Sequence, residues 1–423
     1  MLVLGSLPPR GRDLELIVRP VEQRAISERL TAEGFARRGL EWAWFFDSTA
    51  YAVELIPAER LSVPDGELAA LFAEAKTLDF EADLRHLVRP APHHLLLLQA
   101  RRLVRDGRLH PKRHARISHA LEEEPQAWAE AKARAGSWGL IRALGLLETV
   151  YRTGEPLRVR PRARALLELA TFTAGTAQKV QLVRGPLLNK LPRRNRVVGI
   201  SGLDGAGKSF QAQALRDTLE LLVAPAVVEW TPIAQNRTVD VLRSVKRLLR
   251  PFDRRTEPLE IEPPLTYDDF PAGPAQRLRE RSALVTHAWA LLVVFANVWF
   301  HRRPTFHYPS GGRVAIYDRF VCDSRVRLEF WYGRNRDVRF EKWLLGALSP
   351  KPFRSFFLDV PAEVALIRKG DFALSELRRQ HALYQAEAKK LESTRIDGES
   401  PAARISAEIA RMVWTSLPPN TRE

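Results

Sequence analysis

The densest chemistry in the sequence lies in one run, Gly199-Ile200-Ser201-Gly202-Leu203-Asp204-Gly205-Ala206-Gly207-Lys208-Ser209. From Gly202 to Ser209 the spacing is G-x-x-x-x-G-K-S, which suits a loop that folds backbone N–H groups around phosphate oxygens. Side chains at Gly202, Gly205 or Gly207 would obstruct such a loop. Leu203 and Ala206 complete it, Lys208 is expected to reach the β and γ phosphates, and the Ser209 hydroxyl to ligate Mg²⁺. The pattern predicts binding of a nucleoside triphosphate.

A second group follows more than a hundred residues later, where the apolar run Val314-Ala315-Ile316-Tyr317 ends in Asp318-Arg319. A carboxylate at the carboxyl end of a strand stands where open α/β sheets bind ligands. Beside a phosphate loop, Asp318 would hold Mg²⁺ and Arg319 would clamp a phosphate with two hydrogen bonds. A third group is acidic. Asp13 and Glu15 alternate on one strand face, and Glu54 sits between Val53 and Leu55 on a later strand. His110, His114 and His119 lie among Lys112, Arg113 and Arg116 without carboxylate or cysteine partners, which reads as a solvated basic helix and not a metal site.

These groups need elements to position them. The phosphate loop has the strand Val197 to Ile200 before it and an amphipathic helix, Gln211 to Leu222, after it. The chain opens on a short strand, Leu2 to Leu4, then a strand Asp13 to Val18, a helix Val21 to Glu33 stopped by Gly34, and strands Trp42 to Phe46 and Tyr51 to Ile56. From about Pro90 the pattern turns helical: Leu95 to Arg105, Pro111 to Glu123, Pro125 to Ala135, Trp138 to Tyr151 and Pro161 to Phe172, with a linker from Arg184 to Arg196. Beyond the phosphate-loop helix come a strand Ala226 to Glu229, a helix Val239 to Leu249, and a proline-rich acidic flap from Pro251 to Pro274. A long helix, Gln276 to Arg302, leads to the Asp318 strand. Further strands are expected at Ser355 to Asp359 and Thr394 to Asp397, separated by helices Pro361 to Lys369 and Ser375 to Leu391.

Composition bounds the reading. With 423 residues, 45% apolar and 27% charged, the chain has the make-up of a soluble globular protein of more than one domain. The net charge of +16 comes from scattered arginines and not from a basic tail, which points away from nucleic acid and toward phosphate-binding sites in an arginine-rich chain. The single cysteine, Cys322, excludes an internal disulfide and fits a reducing cytoplasm. No signal peptide is legible, and the apolar run Ala288 to Phe300 is too short to span a bilayer of ~30 Å as a helix.

Leu4-Gly5-Ser6, Asp13-Leu14-Glu15 and Glu54 together resemble the nucleotidyltransferase fold of the DNA polymerase β superfamily. That resemblance implies that Asp13, Glu15 and Glu54 hold Mg²⁺ ions aligning a triphosphate with an attacking hydroxyl.

Gly202 to Ser209, Asp318-Arg319-Phe320, and Leu358-Asp359-Val360-Pro361-Ala362-Glu363-Val364-Ala365 with Arg368-Lys369 resemble the P-loop, DR motif, fourth strand and lid of thymidylate kinases, over roughly Arg196 to Glu423. The resemblance implies a five-stranded parallel sheet and transfer of the ATP γ-phosphoryl to a nucleoside monophosphate. It further implies that Asp204 contacts the acceptor sugar, that Arg319 binds the acceptor phosphate, and that Arg368, Arg378 or Arg379 supplies the lid arginine. The segments that would read a thymine base are different here: Glu229 to Arg237, Leu291 to Trp299 and Val321 to Phe330. These departures support phosphoryl donation better than thymidylate as acceptor, and the acceptor expected is dTMP or a related nucleotide.

The fold class expected is α/β: a C-terminal P-loop NTPase domain over 191–423, preceded by an α+β nucleotidyltransferase-like domain over 1–90 and a helical extension with linker over 91–190. The activity expected is that of an ATP- and Mg²⁺-dependent nucleoside-monophosphate kinase in the cytoplasm, with nucleotides as partners and a homodimer compatible with the reading. The alternative is a bifunctional or degenerate nucleotidyltransferase and P-loop protein, acting as a nucleotide-binding switch or on a non-nucleotide acceptor.

Overall fold

Strand β8 (Arg196–Gly202), which runs into the glycine-rich loop, is the middle strand of a five-stranded sheet, and the rest of the C-terminal unit is built outward from it. The computed structural model describes residues 1–4, 13–61, 63, 65–77, 87–106, 109, 111–154, 196–222, 224–231, 282–307, 313–334 and 336–418. The expected Gly5-Ser6 turn, the helices Pro161 to Phe172 and Val239 to Leu249, the linker Arg184 to Asn195 and the flap Pro251 to Pro274 lie outside the described residues.

Contacts divide the chain into two units, one made of Met1–Trp44, Tyr51–Leu191 and Leu417–Glu423, the other of Phe45–Ala50 and Pro192–Ser416. The protein is α/β, with a mixed sheet in the first unit and an all-parallel sheet in the second.

The first unit contains β1 (Leu2–Val3), β2 (Asp13–Val18), β3 (Ala36–Arg38), β4 (Glu41–Phe46), β5 (Thr49–Pro57), β6 (Lys76–Thr77) and β7 (Val88–Arg89), in the order β3-β4-β5-β2-β1-β7-β6. Strands β2 and β5 run parallel with Glu15 opposite Glu54 and Asp13 opposite Ala52. Helices α1 (Pro20–Ala32) and α2 (Asp65–Ala73) are followed by α3 (Pro92–Asp106), α4 (Pro111–Glu123), α5 (Ala127–Arg134) and α6 (Ile141–Thr153). Leu96, Leu97, Leu103, Ile117, Trp138 and Leu147 from this helical stretch share one buried core with Leu2 and Ile17 of the sheet. The helices therefore close one face of the sheet, which by itself would leave that face in water.

The second unit adds β9 (Ala226–Trp230), β10 (Val314–Asp318), β11 (Arg354–Asp359) and β12 (Thr394–Asp397) to β8, in the order β12-β11-β8-β10-β9. All four pairings are parallel. Strand β10 is buried along its length and β8 nearly so, as a parallel sheet covered on both faces requires. After β8 the chain crosses to β9 on one side, whereas after β10 it crosses to β11 on the other. The carboxyl ends of β8 and β10 thus flank a switch point, the place where such sheets open a crevice for a ligand.

The covering helices are α7 (Lys208–Leu221), α8 (Ala283–His307), α9 (Val321–Tyr332), α10 (Arg339–Leu348), α11 (Ala362–Lys369), α12 (Leu374–Lys390) and α13 (Ala402–Ser416). Helix α8 is longer than the apolar run from Ala288 to Phe300 suggests. Over Ala283–Arg303 it is long and apolar enough to cross a membrane by length and composition, and a third of that stretch is buried. The histidine that bounds the run does not end the helix because it is packed as core. His301 is fully buried beside Ser349 (2.8 Å) and against the Phe320 ring, and burial pulls its pKa down to about 3. On the same helix Ala290, Val293 and Val294 pack with Leu328 and Leu345.

Candidate functional site at the β8–β10 crevice

The loop between β8 and α7 holds its shape by backbone conformation. Gly202, Gly205 and Gly207 have φ of 156°, 92° and 84°. A Cβ on Gly202 would lie 2.7 Å from the Leu358 carbonyl oxygen, and one on Gly205 would lie 3.0 Å from that of Ala365. At Gly207 a Cβ would meet nothing within 4 Å, so only the left-handed backbone calls for glycine there. The glycines are thus required by neighbouring protein and by φ, in addition to any need to clear space for phosphate.

The Lys208 ammonium turns back into the loop and donates to the carbonyls of Gly202 (2.9 Å) and Leu203 (2.8 Å), with Asp204 Oδ1 at 3.3 Å. It is buried, and burial lowers its pKa. Ser209, one residue further, donates from its hydroxyl to Asp318 Oδ2 over 2.5 Å. The other oxygen of that carboxylate, Asp318 Oδ1, is buried with no hydrogen-bond partner. A hydroxyl beside a carboxylate with an unsatisfied buried oxygen is a donor set that fits a hard divalent cation such as Mg²⁺.

Asp204 is the electrostatic centre of the site. Its Oδ1 accepts from Arg319 Nη2 (2.7 Å) and its Oδ2 from Arg327 Nη2 (2.9 Å). Burial works against its ionisation, but Lys208, Arg327, Arg319 and Lys369 outweigh burial and hold the carboxyl well below the usual range. Arg319 itself has φ of 75°, and its N–H donates to the Ile200 carbonyl. A left-handed non-glycine residue directly after a strand is uncommon and is held here by the hydrogen bond to β8.

Two contributors were not legible in the sequence. Arg327 lies two turns into α9, and its distance from Asp318-Arg319 in sequence gives no sign of its approach to Asp204. Asp323, buried in the first turn of α9, accepts from the Phe320 N–H (3.0 Å) and the Tyr384 hydroxyl (2.9 Å), and the Gly202 N–H lies 3.5 Å away. It ties the loop, the DR turn and α12 together. An acidic residue in the first turn of a helix was the signal that would have found it.

The lid arginines are placed elsewhere. Arg368 donates to the Gly398 carbonyl (3.1 Å), Arg378 pairs with Glu363 (2.8 Å), and Arg379 stacks over the Phe330 ring. Lys369, the last residue of α11, has its Cβ 3.4 Å from where a Gly205 Cβ would stand, while its ammonium pairs with Asp371 at 2.7 Å. On the far side of β11, Asp359 meets His381 (2.6 Å) and Arg395 (2.5 Å) in a cleft of about 350 Å³ that Pro361, Asp397 and Glu399 also line.

In the first unit Glu15 and Glu54 stand side by side on β2 and β5. Glu15 is also paired with Arg102 of α3 at 2.7 Å. Burial opposes its charge, yet Arg102, with Arg116 and Arg113, holds its carboxyl below the usual value. Asp13 occupies the expected position on β2, two residues before Glu15. His114 stacks on Tyr151 and His119 is exposed beside Glu123, while His110 lies outside the described residues.

No protein-family model matches this chain, and no curated protein matches it. The functional reading therefore rests on the geometry.

Proposed function

We propose that the second unit is an ATP-dependent phosphotransferase of thymidylate-kinase type, moving the γ-phosphoryl group of ATP to a nucleoside monophosphate. The observation that carries this reading is the convergence of Lys208, Ser209, Asp318, Arg319 and Arg327 on one crevice, centred on Asp204. In-line phosphoryl transfer asks for positioning and for cations around the moving group, with little covalent chemistry.

In this reading the loop and Lys208 bind the triphosphate, and Arg319 with Arg327 grips the acceptor phosphate, exchanging hydrogen bonds with Asp204 for hydrogen bonds with phosphate oxygens. Mg²⁺, when bound, neutralises phosphate oxygens, and Ser209 and Asp318 are the residues that would hold it. Asp323 and Tyr384 keep Arg319 and the loop in register. To close over the site and exclude water, Lys369, Arg368 and Arg378 would have to leave the partners they hold here, Asp371, the Gly398 carbonyl and Glu363. The buried lone cysteine, Cys322, is in keeping with a cytoplasmic enzyme.

A second transferase centre at Asp13, Glu15 and Glu54 is disfavoured because three arginines, Arg102, Arg116 and Arg113, already compensate the Glu15 carboxylate. The deciding experiment is ADP release with Mg²⁺·ATP over a panel of nucleoside monophosphates. Turnover with one or more acceptors, lost in Lys208→Ala, supports the kinase. ATP binding without phosphorylation of any acceptor overturns it in favour of a nucleotide-binding switch.

A further inference from the structure

Away from the crevice, in the first unit, three elements bring a second polar cluster together. Glu74 follows α2, His93 and His94 open α3, and Glu130 and Arg134 lie on α5. His94 is fully buried and His93 nearly so. The geometry around His93 is unusual. Its Nε2 lies 3.0 Å from Glu74 Oε2 and its Nδ1 lies 2.9 Å from Glu130 Oε2. A neutral imidazole has one N–H, so one of these contacts sets a nitrogen lone pair against a carboxylate lone pair. The Nδ1 contact is also too poorly aligned to be a hydrogen bond, and the buried Nδ1 of His94 has no partner, although its Nε2 faces Arg134 Nη1 at 3.4 Å. The two rings are only 4.2 Å apart between centroids.

Charge points the same way. Arg134 is the cation within the cluster, at 2.7 Å from Glu74 and 3.6 Å from Glu67. Glu67 is further satisfied by Ser137 (2.6 Å) and the Trp138 indole (2.9 Å). Three carboxylates, Glu67, Glu74 and Glu130, therefore face one arginine, and Glu124 next to them is paired with Lys76. Ligand atoms of Glu74, His93 and His94 all lie within 4.8 Å of one another, and so do those of His93, Glu124 and Glu130.

We propose that Glu74, His93 and His94, with Glu130 beside them, bind one divalent transition-metal ion, with zinc as the ion best matched to two imidazoles and carboxylate oxygen. The ion would offset the excess carboxylate charge and take up the unpartnered Nδ1 of His94 and the Nε2 of His93, leaving His93 Nδ1–H to face Glu130. It would pin the end of α2 and the start of α3 to α5, a structural role independent of the phosphotransfer site.

The test uses the full-length, tag-free protein stripped with a chelator and then titrated with Zn²⁺ against a chromophoric competitor, with metal content measured after dialysis. One tightly held Zn²⁺ per chain is expected, together with visible absorption bands of Co²⁺ bound through imidazole. Affinity is expected to fall by about tenfold or more in His93→Gln and in Glu130→Gln, the latter at a half-exposed position where the substitution is expected to leave folding intact. Substoichiometric metal, or Zn²⁺ binding unchanged in both variants, overturns the proposal. So does a nitrogen-15 spectrum of the Zn²⁺-treated protein showing both His93 nitrogens protonated, which would make the cluster an imidazolium held between two glutamates.

Discussion

The Ser209 hydroxyl donates to the Asp318 carboxylate over 2.5 Å, joining the first turn of α7 to the carboxyl end of β10 across 109 positions of sequence. Asp318 is level with Ile200 in the β8–β10 register, so the loop that begins at Gly202 must curl back over the strand end to reach it. Asp318→Asn keeps the hydrogen bond and removes the charge. It is expected to lower kcat by about 10²-fold or more while leaving the melting temperature within a few degrees. Steady-state kinetics over a Mg²⁺ series check this, and unchanged turnover would separate Asp318 from the chemistry.

Asp204 sets an acid limit on stability. Its folded-state carboxyl lies below the unfolded value of about 3.9, so between the two values the unfolded chain binds more protons. The stabilisation it gives is complete above about pH 4 and is lost as pH falls through the folded value. Asp204→Asn is expected to be less stable at neutral pH, because Arg319, Arg327 and Lys208 lose a buried counter-charge, and to have a flatter stability profile below pH 4. Thermal melts from neutral pH into acid distinguish the two profiles.

Arg327 is expected to act on the acceptor. Arg327→Leu should raise the acceptor KM by about tenfold or more, the loss of one charge-assisted hydrogen bond, with a smaller effect on the KM for ATP. Equal effects on both substrates would make it a scaffold for Asp204 alone.

Two glycines in one loop are expected to differ. Gly207→Ala adds only the cost of a left-handed backbone, about 1–2 kcal/mol. Gly202→Ala also drives a Cβ to 2.7 Å from the Leu358 carbonyl and is expected to cost about 3 kcal/mol, with displacement of β11. Denaturant melts of the two variants rank them.

Arg102→Ala should release Glu15. With the ion pair gone, burial is opposed only by Arg116 and Arg113, and the Glu15 carboxyl is expected to titrate higher than in the parent. A carbon-13 titration of the side-chain carboxyl reads this directly, and phosphotransfer by the other unit is expected to be unaffected.

Much of this architecture is readable without coordinates. The runs Asp13 to Val18, Pro111 to Glu123 and Thr394 to Asp397 coincide with β2, α4 and β12 because alternation or helical spacing is bounded by clear breaks. The short strands β3, β6 and β7 are not readable, since two or three residues carry no periodicity and their pairing is decided by partners far along the chain. Within the crevice, Lys208, Ser209 and Asp318 stand out because their roles follow from local spacing. Arg327 and Asp323 do not, because each reaches the site from a helix whose direction is set only by packing. The adjacent pair His93-His94 carries no local signal for the same reason, as its carboxylate neighbours come from other helices.

The middle position of β8 has a consequence for biosynthesis. Both of its neighbours, β10 and β11, are translated more than a hundred residues after it, so the nascent glycine loop leaves the ribosome well before the residues that complete its pocket. A chain truncated before Arg313 would carry the phosphate motif on a strand with both edges unpaired. On the proposed function, nucleotide capture would come late in synthesis, and truncated products are expected to pair with other strands first.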